Sequence, residues 1–312
     1  MIDTPIFYVA AERSGTTMFR LMLDHHPMIA MHHEFEYAVD LITDNEHWPP
    51  LDTYYEYLQL SRTFKAAHVV IDPSLSYPEL VDSFLVQVRD RAGKQLVGAK
   101  VFRRFDRLPR IWPHAKYIHL IRDGRDVARS VTTMGWAGNV WVGTDVWIEA
   151  ERTWDRLRPR LSPDQWLDLR YEDLVTAPER SLRAVCRFID VPYHPAMLDY
   201  HRDTTYDPPD AKLAHQWIDR LTPREIRLVE SRIADRLLHR DYQLSGLPPA
   251  RVPSWLDRSL RIQSRLRTIR FGLKRYGLPL WAAGVISRRF GPRSLRDKIT
   301  LRMNEIRNRH LK

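Results

Sequence analysis

Cysteine is almost absent from this chain, since Cys186 is the only one in 312 residues. A single thiol excludes an intrachain disulfide and any metal cluster built on cysteine. The first apolar run starts at Ile6, with no basic region and long apolar core of the kind that a signal peptide carries ahead of it. We therefore expect a cytoplasmic protein of a reducing compartment.

Long apolar runs are also missing. The longest, residues 278–286 around Trp281, is much shorter than the roughly 20 residues that a membrane-spanning helix needs. The hydrophobic fraction of 44% and the ten tryptophans nevertheless argue against a disordered chain. We expect a soluble or peripheral protein that has one large domain and an appendage.

Positive charge is unevenly distributed along the chain. The net charge is +10, but residues 246–312 alone carry +14, with 14 Arg and 3 Lys against three acidic residues. This asymmetry divides the sequence into a slightly acidic domain, residues 1–245, and a basic helical extension, residues 246–312.

The extension contains an apolar stripe at helical spacing. Its members follow one another at steps of four and three: Ile262, Leu266, Ile269, Leu273 and Tyr276. The stripe could pack on the domain, pair with another chain or lie on an anionic membrane. Nucleic acid is the least expected partner, because aromatic residues are sparse between the cations and no reader motif is present. The oligomeric state is not predicted.

A loop near the N-terminus has the features of a phosphate-binding turn. An apolar run from Ile6 gives way to a polar loop, and helical spacing then runs from Met18 to Pro27. At a helix N-terminus, unpaired N–H groups and the helix dipole favour an anion. The loop residues are Arg13, Ser14, Gly15, Thr16 and Thr17. The alternative is an ordinary capped helix after a strand.

This loop lacks the lysine of a Walker A motif, which stands directly before the final hydroxyl residue. The loop therefore lacks the residue on which an assignment as an ATP-binding or GTP-binding loop would depend. A P-loop kinase that acts on a small molecule remains the enzymatic alternative, and an anion-binding or membrane-binding protein remains the non-enzymatic one.

Three further strands are predicted at residues 96–102, 116–121 and 165–171, with helical segments between them. This alternation predicts right-handed crossovers and a mostly parallel sheet. Ligands bind at the carboxyl ends of such strands. Arg13, Lys100 and Arg122 all lie at or just after strand ends, so three cations should converge on one edge.

Two polar segments could contribute to the same edge. Arg122 and Ser130 would lie on either side of a strand-to-helix turn and could hold one anion together. Residues 28–36 include His33 and Glu34, either of which could serve as a base. The alternative for residues 28–36 is a solvated polar turn.

In order along the chain, these blocks resemble the PAPS-dependent sulfotransferases, most closely the tyrosylprotein sulfotransferases and their bacterial relatives. The resemblance covers about residues 5–245. The loop at Arg13 looks like the family's 5′-phosphosulfate loop, and Arg122 with Ser130 looks like its 3′-phosphate site. Tyr171 begins a third block whose tyrosine is expected near the nucleotide. The resemblance implies an α/β, P-loop-type three-layer fold with a central, mostly parallel sheet.

The resemblance also implies a reaction and roles for individual residues. A sulfuryl group would pass in line from PAPS to an acceptor hydroxyl, leaving PAP, without a metal. Arg13 would contact the bridging oxygen of the leaving phosphate and Lys100 the transferring group. Glu34, 21 residues after Arg13, matches the catalytic carboxylate of the tyrosylprotein enzymes, and His33 is the competing base.

The chain departs from the family in ways that leave the acceptor open. Members of the secretory pathway use a membrane anchor and disulfides, which this sequence lacks, so peptide tyrosine is not implied as the acceptor. Met134 stands where a further arginine would support the 3′ end of the cofactor. The acceptor hydroxyl could belong to a carbohydrate, a glycolipid, a phenol or a peptide. A location at the inner membrane surface would follow if the extension binds lipid.

Overall fold

The structure is a computed structural model that describes residues 1–45 and 47–308. Its centre is a five-stranded sheet in the order β2-β3-β1-β4-β5, in which every neighbouring pair is parallel. The strands are β1 (Ile6–Val9), β2 (Ile29–Glu34), β3 (Leu96–Val101), β4 (Lys116–Ile121) and β5 (Trp166–Arg170). The prediction of a mostly parallel sheet is confirmed.

Helices cover both faces of this sheet. In chain order they are α1 (Thr16–Asp24), α2 (Leu51–Leu60), α3 (Arg62–Ala67), α4 (Tyr77–Ala92), α5 (Gly124–Thr133), α6 (Val140–Leu157), α7 (Tyr171–Thr176), α8 (Pro178–Phe188), α9 (Trp217–Arg220), α10 (Pro223–His239), α11 (Ser254–Phe290) and α12 (Arg293–Asn308). Short 3₁₀ turns lie between several of them.

The central strand β1 shows why the fold has three layers. Successive side chains of a strand point to opposite faces of the sheet. Phe7 and Val9 accordingly belong to one hydrophobic core, whereas Ile6 and Tyr8 belong to another on the opposite face. All four side chains are buried. A strand buried on both faces needs helices on both sides, which confirms the predicted α/β three-layer architecture.

The strand register sets the position of the predicted site. Val9 pairs with Val101 of β3 on one side and with His119 of β4 on the other. The carboxyl ends of these three strands are therefore nearly level. The loops that follow them emerge at one edge of the sheet.

Strand β2 is an element that the sequence patterns did not predict. Residues 28–36 were interpreted as a polar cluster, or alternatively as a solvated turn, but Ile29–Glu34 form an edge strand paired with β3. Its first half is buried, while His33 is exposed. The register shifts between His32 and Glu34, so that Glu34 pairs with Lys100.

The extension is helical, as predicted. Helix α11 is interrupted at Gly277, whose φ of 73° is left-handed, and Pro279 follows shortly after. Because proline cannot continue a helical hydrogen-bond ladder, the chain bends at this point. Helix α12 then packs back on α11 and lies against α2.

The predicted apolar stripe does not pack as one face. Ile262 and Leu266 are 55% and 61% exposed, whereas Ile269, Leu273 and Tyr276 are half-buried. A different face of α11, with Leu260 and Ser264, is the one that is buried. Among the described residues, no helix has both the length and the apolar character needed to cross a bilayer.

Candidate active site

The loop between β1 and α1 has the tight geometry of an anion-binding turn. Gly15 caps α1 with a φ of 80°, and Arg13 adopts a φ of 71°, which is uncommon for a residue other than glycine. A Cβ atom on Gly15 would lie 2.1 Å from Cε2 of Tyr171. The ring of Tyr171 therefore lies directly on the loop, and only glycine leaves room for it.

The loop contains buried polar groups that lack partners. Ser14 is 1% exposed, and its Oγ atom has no hydrogen-bond partner among the described residues. The first N–H groups of α1 have no acceptor within the helix, as at any helix start. The hydroxyl of Tyr8 in β1 donates to the carbonyl of Thr16 at 3.0 Å and so holds the start of α1 in place. Thr17 is half-buried beside it.

Arg122 connects the loop to the end of β4. Its Nη1 donates to the carbonyl oxygen of Arg13 at 3.1 Å, and its guanidinium lies 4.3 Å from the ring centre of Tyr171. Its Nε is buried and has no partner in the described part of the chain. The indole of Trp147 donates to the carbonyl of Arg122 at 2.9 Å and so holds its backbone.

Arg13 reaches the second predicted block directly. Its Nε donates to Ser130 Oγ at 3.1 Å, although 117 residues separate them in sequence. Its guanidinium also approaches the ring of Trp136, 5.9 Å from the ring centre. The structure thus brings Arg13, Arg122, Ser130 and Tyr171 together, with Arg13 turned toward Ser130.

A buried ion network supports the segment after Arg122. Arg125 pairs with Asp123 at 2.7 Å and with Glu230 at 2.6 Å, and its guanidinium stacks 3.6 Å above the ring of Trp217. The carboxylate of Glu172 accepts from the N–H of Asp123 at 3.0 Å. Buried, hydrogen-bonded charges fix geometry firmly, because loss of either partner leaves the other uncompensated.

Glu34 and Lys100 form the second half of the site. Lys100 Nζ lies 3.3 Å from Glu34 Oε1, and Arg62 Nη2 lies 3.0 Å from Glu34 Oε2. Lys100 is only 6% exposed, although it lies near the end of β3. Burial lowers the pKa of Lys100 from its ordinary value. The contact with Glu34 opposes that effect.

Other titratable groups adjoin this pair. Burial raises the pKa of Glu36 to about 7, and its Oε1 accepts from the N–H of Phe102 at 3.0 Å. Burial also raises the pKa of Glu12. His33 is exposed at the surface, but the protein around its ring still displaces part of the water, and this desolvation together with the cations Arg20 and Lys100 lowers the pKa of His33 to about 4.

All these groups face one cleft of about 1280 Å³. Its lining includes the following predicted site residues: Arg13, Gly15, Thr16, Thr17, Glu34, Lys100, Arg122 and Tyr171. Ser14 lies in the same loop, and Ser130 reaches it through Arg13. Met134 also lines the cleft.

Sequence reasoning missed several residues of this cleft. Arg62, which holds Glu34, follows a helix with no motif around it, and no pattern connects it to the loop at Arg13. The far wall of the cleft comes from the extension and includes Phe271, Arg275 and Trp281. Contacts between such distant segments leave no local signal in a single sequence.

Comparisons with known proteins agree with this arrangement. A family model described as "Sulfotransferase family" matches residues 5–195. Protein-tyrosine sulfotransferase 1 of Danio rerio is 24% identical over 302 residues, covering 84% of this chain and 79% of the relative. The human protein-tyrosine sulfotransferase 1 is 26% identical over 214 residues, covering 64% and 54%. This chain thus spans only about half the length of the human relative.

Two solved structures share the fold. The sulfotransferase domain from the curacin biosynthetic pathway superposes with a TM-score of 0.55 at 19% identity, covering 78% of this chain and 99% of that one. The sulfotransferase domain of the Synechococcus PCC 7002 olefin synthase gives a TM-score of 0.54 at 21% identity, covering 74% and 95%. These similarities confirm the predicted P-loop-type architecture.

Proposed function

The chain belongs to the sulfotransferase family, and on that basis we propose that it is a PAPS-dependent sulfotransferase that moves a sulfuryl group to an acceptor hydroxyl. One observation carries the proposal. The loop at Gly15, the cation Arg122 and the pair of Lys100 and Glu34 face the same cleft, although they come from four separate parts of the sequence. Each group supplies a different requirement of this reaction.

The residues around the loop are suited to bind the nucleotide. Ser14 Oγ and Arg122 Nε are buried donors without partners in the described residues, and such groups are costly unless a ligand pairs with them. We assign the 5′-phosphosulfate to residues 13–17 and the 3′-phosphate to Arg122 and Ser130. Tyr171, stacked against Arg122, would lie beside the nucleotide.

PAPS supplies the sulfuryl group, which is transferred in line to the acceptor oxygen. Lys100 and the N–H groups at the start of α1 stabilise the negative charge that develops, and Arg13 adds to this effect. Fixed cations of this kind are often the largest catalytic contribution, because they need no reorganisation during the reaction. Lys100 also holds Glu34 at 3.3 Å, so the charge-stabilising group and the proposed base form one unit.

Glu34 takes the proton of the acceptor hydroxyl in this proposal. Arg62 and Lys100 contact its two carboxylate oxygens separately and keep the side chain in one orientation. His33 faces the same cleft and is the alternative base. No metal enters this scheme, because protein cations neutralise the phosphate charges.

The outer face of α11 has the character of a membrane-binding surface. Trp255 is 70% exposed, and it lies with Ile262 and Leu266 on the face turned away from the domain. Arg258 and Arg265 are exposed beside them. Apolar side chains flanked by cations bind anionic bilayers through burial and charge together. We therefore propose that this face binds anionic lipid, which would place the protein at the inner surface of a membrane.

Mass spectrometry of an acceptor panel tests the proposed reaction. The purified protein is incubated with PAPS and, in turn, a methyl glycoside, a glycolipid, 2-naphthol and a tyrosine peptide. The gain of one SO₃ group by one of them is the expected result. A kinase would instead transfer phosphate from ATP, and a non-enzymatic binding protein would modify none. Retention on immobilised PAP, with elution by free PAP, tests nucleotide binding independently.

A further inference from the structure

We propose that the described part of the basic extension, residues 246–308, forms the acceptor-binding wall of the cleft and selects hydroxyl compounds that have an apolar body. This inference rests on the proposed sulfuryl transfer and names the substrate class that the site would take. Neither the family match, which covers residues 5–195, nor the local motifs include this wall.

The first half of α11 is fixed to the domain by hydrogen bonds along one face. The indole of Trp141 donates to Asp257 at 2.8 Å, and the N–H of Gly138 donates to Ser264 Oγ at 2.9 Å. Between them, Asn139 Nδ2 donates to the carbonyl of Leu260 at 2.8 Å. These contacts recur at each helical turn. The extension is therefore an ordered part of the cleft and not a loose tail.

The next turn of α11 brings an aromatic ring into the cleft. Phe271 packs on Gly135, whose φ is 72°, and a Cβ atom at that position would lie 2.5 Å from the ring. Gly135 follows Met134, the C-cap residue of α5, and α5 is the helix that carries Ser130. The proposed acceptor wall and the proposed nucleotide site are therefore in direct contact at Phe271 and Gly135.

Beyond Gly277 the chain turns back over the cleft. A Cβ atom on Gly272 would lie 2.9 Å from Trp281, and one on Gly284 would lie 2.9 Å from the sulfur of Met303. The first contact holds the second part of α11 against the first part, and the second contact holds α12 against the second part of α11. Because α12 also lies against α2, the extension reaches from α6 on one side of the cleft to α2 on the other.

The chemistry of this wall indicates what it binds. Aromatic and apolar side chains of the extension line the cleft together with several polar groups: Thr268, Phe271, Gly272, Arg275, Tyr276, Trp281, Met303 and Asn304. The largest apolar surfaces among them belong to Phe271, Trp281 and Met303. Trp136 adds a further ring from the domain. Specific pockets for small ligands combine apolar walls with a few polar groups that fix orientation. An aryl or alkyl body would pack here while its hydroxyl reaches Glu34.

Arg275 is the cation that the described part of the extension contributes to the cleft, and it is compatible with an apolar wall. The guanidinium of Arg275 lies 4.6 Å from the ring centre of Phe271. A cation held over a ring leaves the stem of the arginine as apolar surface.

The test compares acceptors and wall variants in the full-length protein. The variants are Trp281→Ala and Met303→Gln, and Ile286→Ala is the matched control because Ile286 is an exposed apolar residue of the same helix. For each protein we would measure kcat and KM with 2-naphthol, equilibrium binding of 2-naphthol, and PAP affinity by calorimetry. Melting temperatures check the fold of each variant.

The expected result is that both wall variants raise KM for 2-naphthol by about tenfold, the size of effect that a change in an apolar pocket produces. PAP affinity should remain near wild type, and Ile286→Ala should change neither value. Two outcomes overturn the inference: an unchanged KM and unchanged 2-naphthol binding in folded wall variants, or a higher kcat/KM for a methyl glycoside or a tyrosine peptide than for 2-naphthol. If the wild-type protein does not bind PAP, the proposed function is refuted instead. The equilibrium binding of 2-naphthol would still test the proposed wall in that case.

Discussion

Lys100 Nζ lies 3.3 Å from Glu34 Oε1, across the pairing of β3 with the edge strand β2. This contact pairs Lys100, which we propose stabilises the transferring sulfuryl group, with Glu34, which we propose takes the proton of the acceptor hydroxyl. Arg62 holds the other oxygen of the same carboxylate at 3.0 Å. The two roles are thus placed on neighbouring strands whose register keeps them in contact.

The first prediction concerns nucleotide affinity. Arg122→Ala removes a buried guanidinium whose Nε lacks a partner among the described residues. The loss of a charge-assisted contact should weaken PAP binding by about 1.5–3 kcal/mol, measured by calorimetry. Arg129→Ala is the matched control, because Arg129 lies on α5, the helix that follows Arg122, and its Nη1 donates to Gln216 Oε1 at 3.4 Å. Equal PAP affinity in wild type and a folded Arg122→Ala variant would refute the assignment.

The second prediction concerns the phosphate loop. Gly15→Ala places a methyl group 2.1 Å from the edge of the Tyr171 ring and forces alanine into a backbone conformation with a φ of 80°. The left-handed conformation alone should cost about 1–2 kcal/mol. We expect a lower melting temperature and weaker PAP binding than in wild type. The double variant Gly15→Ala/Tyr171→Ala removes the steric clash with the ring, so its melting temperature should be partly restored. A melting temperature as low as that of Gly15→Ala alone would show that the ring contact does not cause the destabilisation.

The third prediction concerns stability against pH. Burial raises the pKa of Glu36 to about 7 from the model-compound value of 4.5. The folded state therefore binds more protons than the unfolded state between these values, and stability should fall as pH rises through this window. Each pKa unit corresponds to about 1.4 kcal/mol. Glu36→Gln should flatten this slope in denaturant titrations from pH 4.5 to 7, and an unchanged slope would contradict the assignment.

The fourth prediction concerns lipid. The double variant Arg258→Glu/Arg265→Glu reverses two exposed charges on the outer face of α11, so it should lose binding to anionic vesicles in a sedimentation assay. Salt should weaken binding of the wild-type protein, since screening reduces the attraction. Removal of the whole extension is a poorer test, because α11 lines the cleft. Equal vesicle binding by the wild-type protein and the double variant would refute the proposal that the outer face of α11 binds anionic lipid.

The parts of the fold that the sequence predicted are those with strong local periodicity. The apolar runs of β1, β3 and β4 are buried, and a helix follows β1 and β4 directly, whereas the short 3₁₀ helix Phe105–Arg110 follows β3. The strand ends and the converging cations could therefore be inferred from spacing alone. Arg13, Lys100 and Arg122 indeed face one cleft. The rule that parallel strands present their carboxyl ends at one edge was sufficient for this prediction.

Other parts depend on contacts that no local pattern encodes. Strand β2 gave no clear strand pattern, because its apolar run is only Ile29–Met31 and the polar residues His32, His33 and Glu34 follow at once. Arg62 and Phe271 reach the cleft from segments with no motif. For α11, the apolar spacing pointed to the stripe at Ile262, whereas hydrogen bonds to Asp257 and Ser264 decided which face meets the domain.

The most direct test of the account is single-turnover sulfuryl transfer by Glu34→Gln and His33→Asn, with PAPS and an acceptor that the panel identifies. A positioned base contributes about 10²–10⁴-fold, so Glu34→Gln should slow the transfer step by that order. PAP affinity, which depends on the loop and Arg122, should remain near wild type, and His33→Asn should change the rate far less. A Glu34→Gln protein within a few-fold of wild type would contradict the account, and a collapse confined to His33→Asn would assign the base to His33.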